Sequence, residues 1–151
     1  MPGGPGHARR PHRAVLLRRI EAVDGPAAVT VILEVRGGSG SSRPAELSRR
    51  GDCWTGRGGA VRFRWSGASK ARHTRGRLEM RIKLAAGERH ELVLELSDRE
   101  FADEPPDPGR MWVATEEAWS QVVPDCANLI AVTDARHAYA VLRGLTSASG
   151  R

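Results

Sequence analysis

The chain predicts a mainly β fold with C-terminal helices: a partial antiparallel β-sandwich, then a linker helix and a second helix. Two observations carry that expectation. Apolar residues recur at every second position through the first two thirds of the chain, and at every third or fourth position in the last third. The change of period falls at Asp103-Glu104-Pro105-Pro106-Asp107-Pro108, where three acidic residues and three prolines stop a strand and precede a helix. Strands followed by helices, rather than alternating with them, favour an antiparallel sheet with segregated helices.

Each strand follows from alternation. Val29, Val31, Leu33 and Val35 alternate with Thr30, Ile32 and Glu34; Val61, Phe63 and Trp65 alternate with Arg62 and Arg64. Leu78, Met80, Ile82 and Leu84 alternate with Glu79, Arg81 and Lys83, and Leu92, Leu94 and Leu96 with Glu91, Val93 and Glu95. Successive strand side chains point to opposite faces, so each run buries one face and wets the other, the pattern of antiparallel sheets. Asp24-Gly25 lies between the runs 14–22 and 27–36 and predicts a hairpin. Residues 86–89 predict a second hairpin, which makes the sheet a meander. Residues 37–51, rich in Gly, Ser and Arg, read as a loop, and residues 1–12 as a flexible tail.

In the helical third, Asp107 suits an N-cap and Pro108 the first helical position, where no backbone N–H is needed. Met111, Trp112, Thr115, Ala118, Trp119, Val122 and Val123 form one stripe at helical spacing, ended by Pro124. Asp134 opens a second helix with Ala138, Val141, Leu142 and Leu145 on one face. Both stripes need cover, on the sheet or on a partner. The predicted organisation is a tail over 1–12, a sandwich over 13–104, a linker helix region over 105–133 and a final helix over 134–151.

Composition excludes several classes. The longest apolar run is far short of the roughly 18 residues of a membrane helix. The N-terminal charges are followed by no hydrophobic segment, so a cytoplasmic location is expected. Cys53 and Cys126 lack metal-ligand spacing and are expected to be free thiols. Residues 1–83 hold 18 Lys/Arg against 6 Asp/Glu, and residues 84–151 hold 6 against 12. Arg62, Arg64, Arg81 and Lys83 read as the wet faces of strands, and no RNA-recognition or helix-turn-helix pattern accompanies them, so nucleic acid is not an expected partner. The two oppositely charged halves are instead expected to attract one another.

No residue set signals catalysis. His7, His12, His73, His90 and His137 form no HxH or HExxH pair, so neither a metal nor a cofactor is expected. Gly58-Gly59 lacks the helix and Lys-Ser/Thr of a phosphate loop. Glu116 and Glu117 lie on the polar side of the first helix, and Glu88, Glu91 and Glu95 at hairpin and strand positions; all five read as solvated. Of the tryptophans, Trp65 reads as core, and Trp54, beside loop residues, is the candidate for stacking on a sugar.

Several segments in order resemble one family: residues 16–25, then Ala86-Gly87-Glu88-Arg89-His90 running into Leu92-Val93-Leu94-Glu95, then Thr115-Glu116-Glu117-Ala118-Trp119, and finally residues 134–146. Together they resemble glycoside hydrolase family 15, the bacterial glucoamylase-like and trehalase-like enzymes, over roughly residues 13–149. The resemblance implies an N-terminal β-sandwich, a helical linker and an (α/α)6 barrel that holds the active site. Such enzymes invert at the anomeric carbon with two carboxyl groups about 6.5–9.5 Å apart. In the family both are glutamates on barrel loops, and no residue here matches them. The resemblance therefore implies a non-catalytic fragment, inactive alone, in which residues 134–151 are the first helix of an otherwise missing (α/α)6 barrel. Its partner would be that barrel, in the same chain or from an adjacent reading frame, and its sugar an α-glucan or trehalose. The alternative is a stand-alone β-sandwich module that binds carbohydrate or a protein.

Overall fold

A computed structural model describes residues 13–145. Among the described residues the chain forms eight strands and then two helices. It divides into two compact units, Met1–Pro108 and Gly109–Arg151. The expected tail over 1–12 and the last residues of the expected final helix lie outside the described residues.

The first unit is a two-sheet β-sandwich. Strands β1 (Arg13–Glu21), β8 (Arg89–Ser97), β5 (Val61–Ser66), β4 (Cys53–Gly58) and β3 (Ala45–Arg50) form one antiparallel sheet in that order. Strands β2 (Ala27–Leu33), β7 (Arg77–Leu84) and β6 (Arg72–Thr74) form the other. The core between them holds Phe63, Trp65 and Leu92 from the larger sheet and Leu78, Met80, Ile82 and Leu84 from the smaller, with Ala22, Ala68 and Ala71 at the connections. The alternation thus places the buried faces as expected, Trp65 among them at 3% exposure.

Connectivity departs from a meander. β1 pairs with β8 and β2 with β7, so Asp24-Gly25 carries the chain from one sheet to the other. A two-residue type I′ hairpin needs φ above zero at both central residues. Neither Asp24 nor Gly25 has positive φ, and Pro26 brings no N–H to a ladder. Residues 85–88 do form a tight turn, with Glu88 N–H donating to Ala85 carbonyl at 3.0 Å and Gly87 at φ 78°. The strands it joins nevertheless part into different sheets. Ala22, 2% exposed, fastens the two crossings side by side, donating to Glu88 carbonyl and accepting from Gly87 N–H.

The hairpins lie elsewhere. Arg75-Gly76, both at positive φ, join β6 to β7, as a type I′ turn requires. Gly59-Ala60 join β4 to β5, and Gly51-Asp52 join β3 to β4. β3 therefore occupies ground that the composition of 37–51 marks as loop. It is an edge strand, bulged between Ala45 and Ser48, and its polar residues face water. Among the glycines, Gly56 is fixed by space: a Cβ there would stand 2.8 Å from both Leu47 and the Phe63 ring.

The second unit is a helix pair. α1 (Pro108–Val122) begins at the expected proline, and α2 (Val132–Leu145) begins two residues before Asp134. The helices approach where the Trp119 ring lies 3.9 Å from the position of a Cβ on Gly144. No residue of α1 is buried, and Trp119, Val122, Tyr139, Val141 and Leu142 are exposed at 37–66%. No helix among the described residues is long and apolar enough to cross a membrane.

Candidate functional site

The two sheets are unequal, and their mismatch makes a groove. On the inner face of the larger sheet, register aligns Leu16, Leu94, Trp65 and Trp54 in a row across β1, β8, β5 and β4. Arg18, beside Leu92, shares that face. The three-stranded sheet leaves the β1 end of the row uncovered, and Leu16 is 56% exposed although it points inward. The resulting cavity of about 430 Å³ is lined by Leu16, Arg18, Trp65, Leu92 and Leu94 on one side and by residues 31–34 on the other. Consecutive strand residues face opposite ways. A wall containing Val31, Ile32, Leu33 and Glu34 together therefore runs along the free edge of β2.

The opposite, outer face of the larger sheet carries an ion-pair network. Glu95, fully buried, is the direct cross-strand neighbour of Arg64, which is 5% exposed. Arg64 Nε donates to Glu95 Oε2 at 2.5 Å, and Arg64 Nη2 to Oε1 at 3.0 Å. Arg13 also donates to Glu95, and with its other nitrogen to Asp103 at 2.7 Å. The segment leaving β8 is thereby strapped to the sheet. Arg64 donates to the main-chain carbonyls of Asp103 and Glu104, Arg62 pairs with Glu100 at 3.1 Å, and the Phe101 ring lies 4.7 Å from the Arg64 guanidinium. These bonds raise the Arg13 pKa, Asp103 contributing most and Glu95 next. The hydrogen bond from Arg13 holds the Asp103 carboxyl below the usual carboxylate range. Basic first half and acidic second half do meet here.

Two readings are corrected. Arg64 and Glu95 are not wet strand faces, because the 98–104 segment covers them; Arg81 and Lys83 are exposed as expected. The remaining glutamates are placed separately. Glu91 pairs with Arg19 at 2.5 Å, Glu88 accepts from the Ala85 N–H, and Glu116 and Glu117 are exposed on α1.

Trp54, the residue singled out for sugar stacking, is half-buried and packs against the core. Its ring has Arg49 at 5.9 Å, and its indole N–H is buried with no acceptor. One ring face is thus engaged by the protein. Cys53 and Cys126 are free thiols. Burial pushes the Cys53 thiol pKa up, offset in part by Ser66 and Arg64, which disfavours a nucleophilic role. His90 bonds the Gly67 carbonyl at 2.7 Å. Among the described residues no cluster of three or more His, Cys, Asp or Glu could hold a metal ion.

The groove escaped sequence reasoning because it depends on which strands are neighbours. Arg18 marks the groove only once its register beside Leu92 is known, because β1 carries an arginine on each of its alternating faces. Compared with protein-family models, with curated proteins and with solved structures, the chain matches none.

Proposed function

We propose that this chain acts as the non-catalytic sandwich-and-linker module of an α-glucoside hydrolase of the glycoside hydrolase family 15 type, in a cytoplasmic setting. The observation that carries the reading is the helical unit. Its two amphipathic helices keep Trp119 and Val122 of the first, and Val141 and Leu142 of the second, substantially in water. Apolar residues clustered on exposed helix faces mark an interaction surface. A helical barrel is a partner such faces suit. The order of a sandwich followed by helices, and the segments that resemble the family, support the same reading. The free thiols fit a reducing compartment.

The test uses the purified chain and a family 15 catalytic barrel produced without its own sandwich. The chain alone is expected to release no glucose from trehalose or maltooligosaccharides. Mixed with the barrel it is expected to form a complex in size-exclusion chromatography, and Val141→Asp to abolish it. Heat-labile glucose release by the chain alone, or no complex, overturns the proposal. A stand-alone carbohydrate module is the second reading, favoured by the sandwich's own two-sheet core. Tryptophan fluorescence that shifts with trehalose or maltoheptaose and not in Trp54→Ala would establish it.

A further inference from the structure

The four strand edges of the sandwich are not alike. β6 has three residues, too few to template a partner. β3 is bulged, with Glu46 at φ 53° inside it, and carries Arg49 and Arg50. Short length, bulges and charges are the usual guards against edge pairing. β2 has none of them. Its seven residues, Ala-Ala-Val-Thr-Val-Ile-Leu, carry no charge, and its register with β7 is unbroken from Ala27 to Leu33. Its second edge pairs with no strand among the described residues. β1 is also long and regular, but Arg18 points inward from it, which guards against flat pairing there.

The unguarded β2 edge opens on the groove, and the groove supplies what an added strand would need. A strand hydrogen-bonded to β2 extends the small sheet over the inner face of β1. Its inward side chains then meet Leu16, Leu92, Leu94 and Trp65. Arg18 is exposed in that otherwise apolar wall and makes no ion pair among the described residues, whereas Glu34 at the other rim is engaged by Arg36. The lone cation calls for an anionic side chain in the incoming strand. We propose that the β2 edge is a β-augmentation site for an extended peptide segment of another polypeptide, with apolar residues at alternate positions and a carboxylate facing Arg18. Main-chain bonds to the edge give affinity in such complexes, and pockets for alternate side chains give selectivity. The proposal concerns the sandwich unit and does not rest on the function proposed for the helices.

The experiment selects a phage-displayed random decapeptide library on the full chain and on Arg18→Glu, with circular dichroism to confirm that the variant is folded. Wild type is expected to enrich peptides with apolar residues at alternate positions and an Asp or Glu between apolar inward positions. The variant is expected to exchange the acidic preference for Lys or Arg. An enriched synthetic peptide is then bound to the wild-type chain and amide exchange followed. Slowing of at least about tenfold within 27–33 is expected, and N-methylation of the peptide at alternate residues is expected to abolish binding. Arg18→Gln, lacking the charge, is expected to weaken the acidic peptide about fivefold. No enrichment, enrichment without alternation, an acidic preference unchanged in Arg18→Glu, or binding indifferent to N-methylation overturns the proposal. Octanoate that displaces the peptide and itself binds as tightly also overturns it, by showing a site for a small apolar carboxylate.

Discussion

Glu95→Gln tests whether the outer-face network holds the sandwich together. Glu95 is fully buried and accepts from Arg64 and Arg13, whose side chains are 6% and 33% exposed. Removing one partner of a buried ion pair costs about 3–5 kcal/mol, because the other charge stays behind without compensation. Glutamine keeps the shape and one acceptor. Arg64 also retains the Asp103 and Glu104 carbonyls at 2.5 and 3.2 Å, and Arg13 can still reach water. The loss therefore belongs at the lower end, about 3 kcal/mol, with Glu95→Ala nearer about 5 kcal/mol. In a domain of this size that lowers Tm by roughly 12–24 °C for the glutamine variant, at about 4–8 °C per kcal/mol. Urea unfolding followed by tryptophan fluorescence reads the difference directly. Replacing both charges with apolar residues, Arg64→Met with Glu95→Leu, should recover at least half the loss, since exchange of a whole buried pair is often neutral or better. A Glu95→Gln chain within about 1 kcal/mol of wild type would refute the argument, as would a double variant no better than Glu95→Ala.

Further outcomes follow from single contacts. Gly56→Ala should cost about 2 kcal/mol by overpacking, because its Cβ meets Leu47 and the buried Phe63 ring at 2.8 Å. Gly25→Ala, with nothing within 4 Å, should stay within about 0.5 kcal/mol, and equal melting of the two variants would contradict this. The Asp103 carboxyl lies below its unfolded value near pH 4, so its contribution is present above that pH and lost as pH falls through the lower folded value. Asp103→Asn should thus differ from wild type at pH 6 and converge with it on acidification; a constant difference would count against the Arg13 bond. The Cys53 pKa is raised by burial, so stabilisation from the neutral thiol is present below the unfolded value and lost as pH climbs toward the folded one. In a Cys126→Ser background, alkylation of Cys53 by iodoacetamide at pH 8.5 should run about tenfold slower than that of free cysteine, and an equal rate would show an exposed thiolate.

Periodicity made the strands legible because it is local. β2, β5, β7 and β8 each announce an inner and an outer face within a few residues, and the Pro-rich break before Pro108 announces the helices just as locally. β3 stayed hidden because an edge strand with a bulge buries too little to alternate. Asp24-Gly25 misled because a turn dipeptide reports what its backbone can do, whereas the partners of β1 and β2 decided what it did. The same limit concealed Arg64 and Glu95. Alternation says that they share a face, and only the return of Phe101 and Asp103 across that face turns it from wet to buried. Both notable sites of the sandwich are of this kind. The network needs β5 beside β8 and a strap above them, and the groove needs five strands opposite three with β1 and β2 at the same open side. Sheet order is set by contacts between residues some seventy positions apart, as Arg19 and Glu91 are. A window of a dozen residues contains no information on such pairs. β1 itself is ambiguous in such a window. Ala14, Leu16, Arg18 and Ile20 on one face and Val15, Leu17 and Arg19 on the other are both largely apolar with one arginine each, and only the pairing with β8 turns Arg18 inward. Once that register is known, an arginine on the inner face has a physical meaning: a charge is tolerated there because this part of the inner face is not closed.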